Sequence, residues 1–141
     1  MKRKANAHWE GSLKEGKGTV STESGVLSQQ QYSFRTRFED GSGTNPEELL
    51  GAAHAGCFSM ALSMILGESG HVPDSIDTNA NVTLSEGSDG FEISAIHFDL
   101  TAKIPGIDRD KFLEAANAAK MNCPVSKALK PEITMDARLE D

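Results

Sequence analysis

The sequence predicts an α+β fold of mainly antiparallel sheets with one long central helix. Two observations carry this. Short alternating segments punctuated by glycine fill the first forty residues and recur after residue 75, and a single uncharged stretch, Leu49 to Leu66, lies between them. At 141 residues the chain reads as one domain, 1–141, able to bury a core without disulfide or metal staples.

In order along the chain, Ala7-His8-Trp9, Gly18-Thr19-Val20-Ser21-Thr22 and Tyr32-Ser33-Phe34-Arg35-Thr36-Arg37-Phe38 read as three strands. Alternation puts Tyr32, Phe34, Thr36 and Phe38 on one face of the third, with Ser33, Arg35 and Arg37 on the other. Asp40 to Thr44 is a loop. The helix then has a written start: Asn45 as N-cap, Pro46 at the first helical position and Glu48 as the return residue of a capping box. Glu47 and Glu48 suit the positive end of its dipole. Gly67 is the expected stop. A helix uncharged nearly all round is expected to be covered on most sides.

The second half repeats strand then helix. Ser75 to Ser85 and Phe91 to Ile104 alternate about a turn at Gly87-Ser88-Asp89-Gly90. Asp108 to Met121 has helical spacing, with Phe112, Ala116 and Ala119 on one stripe. A short helix follows Pro124, and Ile133 to Leu139 alternates as a last strand.

Composition closes off several functions. A formal net charge of −7 argues against nucleic-acid binding, since only the tip Lys2-Arg3-Lys4 is basic. The 18 uncharged residues from Leu49 to Leu66 reach the length of a membrane span. They are alanine, glycine, serine and His54 as much as leucine, however, and glutamates rather than lysines flank them, so no membrane partner is expected. The N-terminus carries no apolar core or cleavage site, and the expected location is cytoplasmic. A standing disulfide is disfavoured there, so Cys57 and Cys123 are either inert buried thiols or a redox couple.

The two cysteines have different settings. Cys57 lies deep in the long helix, where burial alone raises a thiol's pKa and leaves it inert. Reactivity there needs a cation from elsewhere, and Arg35 and Arg37 are the candidates; the plain alternative is that both point to solvent. Cys123 falls at the N-cap before Pro124, facing free backbone N–H groups, which suits a resolving or leaving thiolate as well as a small buried hydrophobe. His54, one turn before Cys57, is either a proton acceptor or a packed, hydrogen-bonded core histidine. His8, His71 and His97 are scattered without metal-ligand spacing.

The run Thr44-Asn45-Pro46-Glu47-Glu48-Leu49-Leu50-Gly51-Ala52-Ala53-His54-Ala55-Gly56-Cys57-Phe58-Ser59-Met60-Ala61-Leu62 resembles the core signature of the OsmC/Ohr family. Asn122-Cys123-Pro124-Val125-Ser126 is similar to its second-cysteine motif. His8-Trp9-Glu10-Gly11, Lys17 to Leu27 and Phe38-Glu39 extend the likeness and point to the OsmC branch. The resemblance implies an OsmC-like fold, an intertwined homodimer and a thiol-dependent peroxidase acting on organic hydroperoxides and more weakly on hydrogen peroxide. It implies Cys57 as the peroxidatic cysteine, Cys123 as the resolving one, Arg37 as the activating cation and Glu47 as the carboxylate holding it. Neither metal nor organic cofactor is implied, because sulfur carries the oxidation to sulfenic acid and disulfide, and a dithiol of unknown identity recycles it. Ten residues of helix separate Glu47 from Cys57, about 15 Å. Each active site is therefore expected to draw on both chains, with Gly51, Ala52, Ala55 and Gly56 permitting a close helix crossing. The rival expectation is a non-catalytic stress-related binding protein with inert thiols.

Overall fold

Alternating segments form strands, and these strands make two separate three-stranded sheets. A computed structural model describes all residues, 1–141, in two units, Met1–Leu49 and Leu50–Asp141. In the first unit β1 (Ala5–Glu10), β2 (Lys17–Thr22) and β3 (Gln30–Tyr32) pair antiparallel in chain order. Gly18 of β2 lies between Trp9 and Tyr32, where an added Cβ would stand 2.6 Å from each ring.

The third strand differs from expectation. It stops at Tyr32, and Phe34–Phe38 form a short helix, α1. The cause is local: the Ser33 side chain accepts from the Thr36 N–H, and the Thr36 hydroxyl receives the Ser33 N–H, a reciprocal cap that a strand cannot make. Phe34 and Phe38, which alternation put on one strand face, instead stack one helical turn apart with ring centres 4.8 Å from each other. Arg35 and Arg37 consequently do not share a strand face.

The long helix α2 runs Pro46–Glu68. Asn45 caps it as expected, its Oδ1 accepting the Glu48 N–H at 2.8 Å. The return bond differs: Glu48 takes the Thr44 hydroxyl at 2.7 Å. Gly67 stays helical. The chain turns instead at Gly70 (φ +82°), while the N–H groups of Ser69 and His71 both reach the Leu66 carbonyl.

In the second unit β4 (Ser75–Gly87) and β5 (Gly90–Lys103) form a hairpin closed by Ser88-Asp89, with Gly90 at φ +100°. α3 (Arg109–Asn122), capped by Asp108, and α4 (Pro124–Ala128) follow. The last strand, β6 (Ile133–Glu140), lies beside β5 in parallel, the one departure from antiparallel pairing. The two helices supply the crossover that parallel neighbours require.

The core joins Phe58, Leu62 and Leu66 of α2 to Ile96, Phe98 and Leu100 of β5 and Phe112, Ala116 and Ala119 of α3. Each large side chain so enclosed stabilises the unit by about 1.5–3 kcal/mol. Only one face of α2 is committed to this core. Ala52, Ala53, Gly56, Met60 and Met64 are exposed on the other, so the helix is not covered on most sides within one chain. Gly51 belongs to the inner face, its Cα opposite Val82.

Candidate active site

Arg37 is the next-to-last residue of the strand expected at Tyr32–Phe38 and is delivered by α1 instead. Its Nε donates to Glu47 Oε1 at 2.8 Å, a charge-assisted bond from the short helix to the first turn of α2. Glu47 is buried, and its second oxygen, Oε2, has no partner. Asn45 ties the same junction, donating from Nδ2 to the Thr36 carbonyl at 3.1 Å. Arg35 turns elsewhere, to the Asp40 carbonyl at 3.3 Å. Beside Arg37 a cavity of about 280 Å³ is lined by Trp9, Leu13, Tyr32, Phe34, Phe38 and Pro46. Its wall is mostly apolar, with Ser33 and the Arg37 guanidinium as polar members.

The thiols lie together in the second unit, both free. Cys57 is half-buried on α2, whereas Cys123 is fully buried at the N-cap of α4, where its sulfur accepts the Ser126 N–H at 3.4 Å. Burial pushes the Cys57 thiol up from its ordinary value. The Val125 N–H works the other way, and the neighbouring Cys123 raises it further by hydrogen bond and charge. Cys57 thus sits against the second cysteine, with a backbone donor at its sulfur that does not overcome burial.

His54 is a packed core histidine with a polar duty. It is fully buried, edge-on to Phe98 with ring centres 4.6 Å apart, and its Nε2 lies 2.7 Å from Ser126 Oγ. Burial pushes its pKa below the ordinary imidazole value, so it is neutral at pH 7. Sequence reading passed over Ser126. Its signal was available: the third residue of a helix capped by Cys123 is where a cap's hydrogen bond lands. That His54 meets it could not be read, the two being 72 positions apart. Also unforeseen is an exposed group on β5 and β6, where His97, Asp99 and Asp136 offer donor atoms within 4.8 Å of one another. His97 is held there by Thr134 at 2.6 Å and by both carboxylates.

The sequence pattern of the family described as OsmC-like protein matches residues 39–138, a span holding both cysteines and Glu47. The chain belongs to the OsmC-like family. It is 58% identical to the Escherichia coli (strain K12) protein named peroxiredoxin OsmC, over 98% of this chain and 96% of that one. Against the organic hydroperoxide resistance protein OhrB of Bacillus subtilis it is 33% identical, covering 87% and 88% of the two chains. The solved structure of that OhrB superposes with a TM-score of 0.69 over 97% of this chain and 98% of its own, at 27% identity. An OsmC-like protein of Mycoplasma pneumoniae shares the fold with a TM-score of 0.77 over 100% and 99%, at 16% identity. OsmC-like membership accounts for the two-sheet architecture, and Arg37 lies just outside the matched span.

Proposed function

We propose that the protein is a thiol-dependent peroxidase that reduces organic hydroperoxides, with Cys57 as the attacking sulfur and Cys123 as the resolving one. The observation that carries this reading is two free thiols in mutual contact, the half-buried one able to meet a substrate and the fully buried one positioned behind it. The names of its relatives, a peroxiredoxin and an organic hydroperoxide resistance protein, agree with it. No feature of the fold favours the non-catalytic alternative.

The chemistry balances on sulfur alone. Cys57 thiolate attacks the distal peroxide oxygen; the S–O bond forms, the O–O bond breaks, and the alkoxide leaves as alcohol after taking a proton. Cys123 then displaces the hydroxyl from the Cys57 sulfenic acid, giving a disulfide and water, and an external dithiol returns both thiols. Arg37, held by Glu47, supplies the positive charge that burial of Cys57 requires. The two pairs come from different chains of a homodimer, because a straight α2 separates Glu47 from Cys57 by about 15 Å. Support for the partner is the unburied apolar face of α2, at whose Gly56 an added Cβ meets nothing within 4 Å. Residues 1–141 act as one functional domain in the cytoplasm, and the apolar cavity beside Arg37 takes the organic part of the substrate.

Mass spectrometry after one equivalent of cumene hydroperoxide tests the assignment. Wild type should lose two thiols per chain, recoverable with dithiothreitol. Cys57→Ser should not react, and Cys123→Ser should gain oxygen on Cys57. Oxygen on Cys123 with Cys57 untouched reverses the roles. The cavity adds a second expectation, kcat/KM for cumene hydroperoxide above that for hydrogen peroxide, since each buried methylene contributes about 0.8 kcal/mol.

A further inference from the structure

The hydrogen bonds that end on Cys123 begin at His54. Ser126 Oγ stands 3.1 Å from Cys123 Sγ and 2.7 Å from His54 Nε2, and the Ser126 N–H donates to the same sulfur. All three side chains are buried, His54 and Cys123 completely. His54 Nδ1 is shut away from water with no partner. A neutral imidazole has one ring proton to place. On Nδ1 it would be a buried donor without an acceptor; on Nε2 it points at Ser126 Oγ. The second arrangement costs less, because an unpaired acceptor replaces an unpaired N–H. With Oγ accepting from Nε2, the Ser126 hydroxyl proton is directed to the Cys123 sulfur.

We propose that Ser126 is a catalytic hydrogen-bond donor to the resolving thiol and that His54 is the residue that positions it. Together they fix two donors, the Ser126 hydroxyl and its N–H, on Cys123 Sγ. Cys123 must be a thiolate to attack oxidised Cys57, and the two donors stabilise the negative charge of that thiolate in an otherwise apolar setting. The step they serve forms the Cys57–Cys123 bond and breaks the S–O bond of the sulfenic acid. The hydroxide that leaves takes up a proton, matching the one Cys123 gave up as thiolate, and departs as water; Cys123 sulfur is oxidised as Cys57 sulfur is reduced. The inference rests on the peroxidase reading above. It gives a use to a core histidine whose second ring nitrogen has no partner.

Rapid-quench measurements on the full chain separate the steps, Cys57 sulfenate being trapped chemically and the disulfide counted by mass. The quantity to compare is the rate of disulfide closure relative to the rate of Cys57 oxidation. Ser126→Ala and His54→Leu should lower that ratio roughly tenfold or more, the loss of a hydrogen bond to a charged group. Ser126→Thr keeps the hydroxyl and His54→Gln keeps an N–H near the Nε2 position, so both should recover most of it. A residue that merely fills space predicts a different pattern. Ratios equal to wild type in Ser126→Ala and His54→Leu, or no recovery in Gln and Thr, overturn the inference. Should His54→Leu fail to fold, Ser126→Ala against Ser126→Thr decides alone. Failure of the underlying reading looks different again: wild-type Cys57 then takes no oxygen from peroxide at all, and the role assigned to Ser126 falls with it.

Discussion

At the scale of single residues, the proposed mechanism must keep a half-buried sulfur charged. Burial raises the Cys57 pKa and the Val125 N–H only partly opposes it, so removing the cation should be felt directly. Arg37→Ala should shift the pH midpoint of Cys57 alkylation upward and slow peroxide attack, whereas Arg35→Ala, bound to a loop carbonyl, should change little. Identical alkylation profiles for wild type and Arg37→Ala would remove Arg37 from the mechanism. His54 makes a second prediction. Its folded pKa lies below its unfolded value of 6.5, so the unfolded chain binds the extra proton first as pH falls. The stability contributed by a neutral His54 is therefore complete above about pH 6.5 and is lost on acidification below it. Urea melts at neutral pH and near pH 5 should show a steeper acid loss in wild type than in His54→Gln. An equal loss would mean that the imidazole is protonated in the fold. The two cysteines stood out in the sequence through their contexts, Cys123 before a proline and Cys57 inside an uncharged helix, whereas the roles of Arg37 and Glu47 came only with the family resemblance. Ser126 was marked only by its place three residues after the capping Cys123, and its link to His54 comes from the tertiary meeting of α2 with α4.

At the scale of elements, the start of α2 was readable and its surroundings were not. Asn45, Pro46 and Glu48 are local signals, and local hydrogen bonds honoured them. Tyr32 to Phe38 misled because residues 34 and 38 satisfy both periods: they share a face in a strand and also in a helix. Ser33 with Thr36 broke the tie through a reciprocal cap, worth about 1 kcal/mol. Likewise, an uncharged helix does not announce which face its own chain will cover. Gly51 and Gly56 of α2 now separate the faces. Gly51→Val should destabilise the folded chain by about 1–3 kcal/mol, since even a methyl there meets Val82 at 3.3 Å. Gly56→Leu meets nothing in its own chain and should spare the unfolding free energy of the isolated chain while weakening self-association. Denaturant melts and sedimentation velocity read the two effects separately. A monomeric Gly51→Val protein of wild-type stability would exchange the faces.

At the scale of the whole molecule, the proposed mechanism asks that a cation held in Met1–Leu49 serve a thiol held in Leu50–Asp141. The proposed answer is a second chain, and mixing variants tests it. Glu47→Ala and Cys57→Ser are each expected to be poorly active alone. In a mixed dimer, one site regains both an intact Arg37–Glu47 pair and an intact Cys57, and the other lacks both. Activity in the mixture no higher than the mean of the parents would place both pairs in one chain. Sequence predicted the α+β class and most of the strands, because alternation is a local property; their division into two sheets came from the structure. Parallel pairing of β6 with β5 was beyond it, since strand direction depends on where α3 and α4 leave the chain, and no periodicity records that.

That parallel pairing has a kinetic consequence. Cys123 rides on the crossover between β5 and β6, so the segment bearing the second thiol is pinned at both ends only after β6 has docked. Docking β6 must first close the loop that begins after Lys103, and pairing over such a distance along the chain is slow compared with forming the β4–β5 hairpin. In a nascent or refolding chain whose hairpin forms before β6 docks, the thiols are not yet aligned. On the proposed peroxidase reading, oxidant met before that docking would find Cys57 without its resolving partner and carry it on to irreversible overoxidation.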